Sequence, residues 1–147
     1  MSKIKVVLIG AGGWGAQHAR IFAARPNVDL CAIVGRTPDK TQQRAERYGV
    51  RAYTDIAMML SKERPDLVSL CLPNQGHFET TLQVIQAGYP LLVEKPLVFD
   101  VGEAETLIEE AAKRNQPPPI HARVGLRALK LAYVAIESFE RGVRVML

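Results

Sequence analysis

The sequence predicts an α/β fold, a doubly wound parallel sheet, on three observations. The apolar run Ile4-Lys5-Val6-Val7-Leu8-Ile9 leads straight into Gly10-Ala11-Gly12-Gly13-Trp14-Gly15. Strand-like apolar runs then alternate with helical patterns along the chain, joined by short connections, as in a right-handed sheet with helices on both faces. The 147 residues are 48% hydrophobic but only 6% aromatic, so the core is aliphatic and Ala-rich, as helices layered on a parallel sheet require. That length gives one domain, or one domain and a fragment of another.

Each element has its own signal. The first strand is Ile4–Ile9, and the glycines form the turn behind it. The first helix covers about 13–24 and ends near Arg25-Pro26-Asn27. The second strand is 30–34. Thr37-Pro38-Asp39 then reads as a cap with Pro at the first helical position, and that helix runs to Tyr48 with Gly49 as its stop. A short strand at Arg51–Tyr53 precedes a small helix that starts near Thr54-Asp55 and ends before Pro65. The fourth strand is 67–72, the fourth helix 75–87 with Gly88 closing it, and the fifth strand Leu91–Val93. Asp100-Val101-Gly102-Glu103 has capping-box spacing and opens a helix to Arg114. Pro117-Pro118-Pro119 is a stiff spacer. Residues 120–124 are expected as a sixth strand, 129–139 as a helix and 143–147 as one more short strand.

The glycine run has the register G-x-G-x-x-G, the dinucleotide-binding fingerprint of a Rossmann fold. Gly10 permits a tight turn, Gly12 lets a pyrophosphate approach bare backbone, and Gly15 lets the helix press against the strand. The helix that begins at Gly13 aims its free N–H groups and the positive end of its dipole at the phosphates. Trp14 either packs against the cofactor or shields the helix start.

Composition narrows the partners. The net charge is +4, from 19 basic and 15 acidic residues, and the basic residues are scattered, which argues against a nucleic-acid role. No apolar run approaches the roughly 20 residues of a membrane span. Met1-Ser2-Lys3 enters the first strand almost at once, which leaves no room for a signal peptide, so the expected compartment is the cytoplasm. Cys31 and Cys71 fall in strands that flank the first strand, about 9–10 Å apart. That exceeds disulfide reach, so both are expected as free, buried thiols. The His and Cys spacings form no metal-ligand pattern.

An NAD-binding domain usually places an acid about 20 residues past the glycines to hold the ribose 2′-hydroxyl. Here that position is Gly35, followed by Arg36-Thr37. The missing carboxylate and the added guanidinium suit a 2′-phosphate, with Thr37 and Lys40 able to contribute. NADP is therefore expected in preference to NAD. The competing reading of Arg36 is a surface residue at a turn.

Two later segments sharpen this. One is Cys71-Leu72-Pro73-Asn74-Gln75-Gly76-His77-Phe78-Glu79, the other Ala87-Gly88-Tyr89-Pro90-Leu91-Leu92-Val93-Glu94-Lys95-Pro96. Glu94-Lys95-Pro96 by itself reads as an ordinary strand-exit turn. With the glycine fingerprint and P-N-x-x-H at this spacing, the chain resembles the glucose–fructose oxidoreductase / inositol dehydrogenase / MocA family of NAD(P)-dependent oxidoreductases over residues 3–116. The resemblance implies that Pro73 and Asn74 lie beside the pyrophosphate and nicotinamide ribose. Glu94 would accept hydrogen bonds from ribose hydroxyls. Lys95 would reach the oxygen on the reacting carbon and move a proton while hydride passes to or from the nicotinamide. His18 fits the family's continuation of the glycine motif. His77 joins the cofactor set through its motif, although the residue alone reads as a capping or packing group. The substrate class implied is sugars, polyols or related cyclic alcohols.

The resemblance then fades. Family members continue into a second α/β domain that covers the nicotinamide and supplies most substrate contacts. Residues 126–147 resemble the crossing into it, with Arg127 and Ala135-Ile136-Glu137-Ser138 in place but Phe139 where a Gly is expected. The organisation expected is a dinucleotide-binding domain at 1–125 and a linker with the truncated start of a substrate domain at 126–147. Such a chain binds cofactor and turns over little by itself. Its apolar tail, including Leu129, Leu131, Ile136 and Phe139, is expected to be buried against a second copy or over the sheet edge. The alternative is a non-catalytic nicotinamide-nucleotide sensor or interaction module, which keeps Gly10, Gly12 and Gly15 but has no need of Lys95.

Overall fold

The computed structural model describes residues 2–73, 76–113 and 122–142. Five strands, β1 (Ile4–Ile9), β2 (Val28–Val34), β3 (Arg51–Tyr53), β4 (Leu67–Leu70) and β5 (Leu91–Val93), form one sheet in the order β3-β2-β1-β4-β5. All pairs are parallel. β1 lies at the centre, and Val6, Val7, Leu8 and Ile9 are all essentially inaccessible to solvent. A strand buried on both faces needs consecutive apolar residues rather than alternation, which is why this run has no polar face beyond Lys5.

Helices cover both faces. On one, α1 (Gly13–Ala23) packs Ala19 against Leu8 and Ile33, and α2 (Pro38–Glu46) runs beside β2 and β3. On the other, Met59 and Leu60 of α3 (Ile56–Glu63) and Val84 of α4 (His77–Gln86) pack against Val7, Ile9 and Val34. The starts of these elements follow from their caps. Pro38 stands at the beginning of α2, Asp55 Oδ1 accepts from the Met58 amide at 2.6 Å, and Asp100 Oδ1 accepts from the Glu103 amide at 3.0 Å. The helix so opened, α5 (Val101–Ala112), closes Ala104 and Leu107 over Val98 and Ile85.

The expected strand at 120–124 is not formed over its described part, because Ala122 already begins the helix α6 (Ala122–Arg141). Leu126, Leu129, Tyr133 and Ile136 are spaced by three or four, and a nucleated helix propagates at little cost through the preceding residues. The helix expected at 129–139 lies within α6. Leu129 joins the α5 cluster, Lys130 pairs with Glu105 at 2.9 Å, and the Tyr133 hydroxyl donates to the Phe99 carbonyl at 2.5 Å. Asn74, the triple proline, residues 120–121 and the strand expected at 143–147 lie outside the described residues. Cys31 and Cys71 are free and buried. Burial pushes each thiol up to about 11, which keeps both protonated and unreactive. Among the described residues no helix is long and apolar enough to cross a membrane, and no three His, Cys, Asp or Glu side chains are grouped to hold a metal.

Candidate dinucleotide site

The sheet hydrogen bonding continues past the strand ends and aligns one edge. Gly10 N donates to Val34 O at 2.8 Å, Cys71 N to Ile9 O at 2.8 Å, and Glu94 N to Leu70 O at 3.0 Å. Gly10, Gly35, Pro73, Glu94 and Lys95 therefore all follow strands at the carboxyl edge. The centre of that edge, between β1 and β4, is where the chain reverses its direction across the sheet and where open α/β sheets bind ligands.

The glycines divide into two kinds. Gly10 has φ +120°, and a Cβ there would lie 2.2 Å from the Cys71 carbonyl oxygen. A Cβ on Gly15 would lie 1.8 Å from the Gly10 oxygen. Gly10 is dictated by its positive φ and the adjoining Cys71 main chain, Gly15 by the main chain of the turn itself. Gly12 and Gly13 are different, because a Cβ at either meets nothing within 4 Å. Their backbone borders open space, the cradle a bulky anion needs. The first turn of α1 carries no acidic residue, so no carboxylate competes for its N–H groups. Trp14, 68% exposed, leaves its indole on the surface beside this turn.

Next to the turn lies a hollow of about 140 Å³, walled by Ile9, Val34, Leu72 and Pro73 with Arg36 among its lining residues. Gly35 also borders it, and a Cβ there would stand 2.3 Å from Thr41 Oγ1 and 3.0 Å from Ala11 Cβ. An acid at position 35 has no room, a packing reason that sequence spacing did not reveal. Arg36 and Thr37 are exposed at the surface. Sequence reasoning missed Arg44, whose guanidinium donates to the Ala11 carbonyl at 3.4 Å and lies against the glycine turn. Its signal was the spacing Thr37, Thr41, Arg44, one face of α2.

Glu94 is held from behind. His18 Nε2 lies 2.9 Å from Glu94 Oε1, and His18 Nδ1 lies 2.9 Å from Ser69 Oγ. Glu94 Oε2 accepts from its neighbour's amide, Lys95 N, at 3.3 Å. Lys95 itself is exposed, and its peptide bond to Pro96 is cis. His77 is 2% exposed, with Nε2 at 2.9 Å from the Leu72 carbonyl and Nδ1 at 3.2 Å from the Leu97 carbonyl. Both carbonyls only accept, so a neutral ring donates to one of them, with the Leu72 oxygen the nearer. Bare glycine backbone, an anion-accepting helix start, a partly apolar hollow and a carboxylate on the same edge fit the parts of a nicotinamide dinucleotide.

Comparison with known proteins agrees with this geometry. Residues 4–117 match the oxidoreductase family with an NAD-binding Rossmann fold. The chain is 33% identical over 114 residues to D-glucoside 3-dehydrogenase of Escherichia coli (strain K12), covering 76% of this chain and 32% of that protein. It is 31% identical over 155 aligned positions to inositol 2-dehydrogenase of Corynebacterium glutamicum (strain R), covering all of this chain and 45% of that one. The crystal structure of GenD2 from gentamicin A biosynthesis in complex with NAD superposes with a TM-score of 0.74 at 34% identity, over 78% of this chain and 33% of the other. The chain therefore spans 32–45% of the length of these relatives. Motifs, sheet order and sequence likeness agree, and the chain belongs to the oxidoreductase family with an NAD-binding Rossmann fold.

Proposed function

We propose that the chain is the cofactor-binding half of an oxidoreductase that transfers hydride between NADP, in preference to NAD, and a sugar, polyol or related alcohol. The observation that carries this reading is the meeting of two features on one sheet edge: a glycine turn bordering open space and the Glu94–Lys95 pair. Gly10, Gly12, Gly13 and Gly15 with the start of α1 cradle the pyrophosphate, and Trp14 covers its outer side. Arg36 and Thr37 take the 2′-phosphate. Pro73, Asn74 and Glu94 border the nicotinamide ribose, and His77 supports this site from the Leu72 carbonyl that precedes Pro73. The bound nicotinamide supplies or accepts the hydride. Lys95 holds or moves the proton at the substrate oxygen.

The substrate class rests on the relatives named above, a glucoside dehydrogenase and an inositol dehydrogenase. Residues 126–147 lead toward the substrate-binding part. The half-exposed Leu131 and Ile136 on α6 support assembly of copies through that helix, in the cytoplasm. Hydride transfer needs the substrate carbon held about 3–3.5 Å from the nicotinamide, so these residues alone bind cofactor and turn over little.

Trp14 is the sole tryptophan and serves as the reporter. NADPH is expected to quench its fluorescence to saturation, with NADH binding more weakly. Lys95→Ala keeps that affinity and removes turnover in any form of the protein that has it; retained turnover would overturn the role given to Lys95. Arg36→Ala is expected to weaken NADPH by about tenfold, the value of one charge-assisted hydrogen bond, and to leave NADH within about twofold. NADH binding as tightly as NADPH to the unaltered chain would end the case for the 2′-phosphate.

A further inference from the structure

The resemblance gives His18 a place in a motif, and the structure gives it partners. His18 lies one turn beyond Gly15 on α1, and its ring bridges two strands. Ser69 on β4, wholly buried, meets Nδ1. Glu94, just past β5, meets Nε2. Phe22, one helical turn further along α1, sits edge-on to the ring with centroids 6.0 Å apart. The imidazole is thus fixed on three sides and is itself only 16% exposed.

The chemistry of the partners sets the direction of the hydrogen bonds. An ionised carboxylate only accepts, so Nε2 carries the hydrogen and donates to Glu94. The Ser69 hydroxyl can donate or accept, and it serves Nδ1 in either case. Of the roughly four lone-pair directions on a carboxylate, one is taken by His18 and one is loosely taken by the Lys95 amide. The side chain is 27% exposed, so the carboxylate retains capacity to accept from a ligand. Without His18 the Glu94 side chain would turn among rotamers at the end of its strand.

We propose that His18 is a positioning residue for the cofactor: braced on buried Ser69, it fixes the Glu94 carboxylate as a preorganised acceptor for a ribose diol beside the glycine turn. This rests on the reading of Glu94 in the preceding section. A ring that only filled the gap between α1 and the sheet would matter to stability but not through Glu94.

The test is NADPH titration followed by Trp14 fluorescence, with the thermal midpoint of each variant measured without cofactor. His18→Leu is expected to weaken NADPH by about tenfold. His18→Gln, whose amide can still donate to Glu94, recovers most of that loss. Ser69→Ala, which keeps the ring and removes its brace, weakens binding by about fivefold and covers the case in which His18→Leu does not fold. In a Glu94→Ala background, His18→Leu adds no further loss of affinity, since residues that act through one another are not additive. Losses that simply add, or a His18→Leu protein that binds as the unaltered chain does, would overturn the inference alone. An unaltered chain that binds no nicotinamide nucleotide overturns this inference and the preceding reading together.

Discussion

A methyl group at position 15 is expected to destabilise the protein severely, whereas the same group at position 12 leaves the fold intact and weakens cofactor binding. The two glycines sit three residues apart in one turn and are held for opposite reasons. At Gly15 the added carbon would stand 1.8 Å from the Gly10 oxygen and 2.9 Å from the Gly10 carbonyl carbon. Both are backbone atoms of the turn, so no side chain can swing aside. Relief requires α1 to move off β1, and α1 buries Ala19 completely at that contact. Overpacking of this kind costs about 3 kcal/mol or more, and the midpoint of thermal unfolding should fall by ~10 °C in a chain of this size. At Gly12 the added carbon meets nothing within 4 Å, and φ is −76°, a value any residue adopts. Gly12→Ala should therefore unfold within about 2 °C of the unaltered chain. The methyl instead enters the space assigned to the pyrophosphate, and NADPH should bind at least about tenfold more weakly, as when backbone N–H contacts to an anion are lost. Paired melting and titration curves separate the two effects. If Gly12→Ala binds normally, the open space beside the turn does not belong to phosphate.

This contrast marks where the sequence could be read and where it could not. The turn and the five strands follow from local signals: consecutive apolar residues for a strand buried on two faces, a Pro at a helix start, glycines at helix ends; the placing of β2 and β4 beside β1 comes instead from the doubly wound fold class. The role of Gly15 follows from the same local geometry, whereas the close approach of Gly10 to the Cys71 carbonyl appears only once β4 lies beside β1. Gly35 was legible only as a missing acid. That it faces Thr41 and Ala11 depends on how α2 folds back over the turn. The bridge from Ser69 through His18 to Glu94 joins residues 51 and 76 positions apart, and no periodicity encodes which side chains two crossovers bring together. His77 was named by its motif, yet its burial and its two carbonyl neighbours emerge only when the ends of β4 and β5 lie side by side. The start of α6 was missed because the five residues 120–124, of mixed polarity, carry too little pattern to distinguish strand from helix.

Glu63 left no sequence signal at all, and its removal should cost about 2–3 kcal/mol. Its side chain is 1% exposed at the end of α3. The Tyr53 hydroxyl donates to Oε1 at 2.5 Å, the Arg51 guanidinium donates to Oε2, and Lys5 Nζ lies 3.5 Å from Oε2. Arg51 and Tyr53 are two of the three residues of β3, and Lys5 belongs to β1. One buried carboxylate thus fastens the short edge strand to α3 and to the centre of the sheet. Breaking a buried pair costs about 3–5 kcal/mol when the partner is stranded. Here the Arg51 side chain is 63% exposed and Lys5 32%, so both charges can turn to water and the loss falls below that range.

The same carboxylate makes stability depend on acidity. Burial pushes its pKa up, but the Tyr53 hydroxyl, the Arg51 guanidinium and Lys5 together outweigh burial and hold it below the ordinary 4.5. A group with a depressed folded-state pKa stabilises the fold fully above its unfolded value and loses that contribution as pH falls through the folded one. Urea unfolding should therefore show Glu63→Ala less stable than the unaltered chain by a constant margin from pH 7 to about pH 5, a margin that narrows below about pH 4. A margin that stays constant down to pH 3 would mean that Glu63 is not held ionised by this cluster. The consequence reaches the ligand edge, because Gly35 N donates to Tyr53 O at 3.0 Å and Thr54 lines the hollow beside Arg36. Loosening β3 should weaken NADPH binding by a few-fold in Glu63→Ala, through a residue on the opposite side of β3 from the phosphate turn.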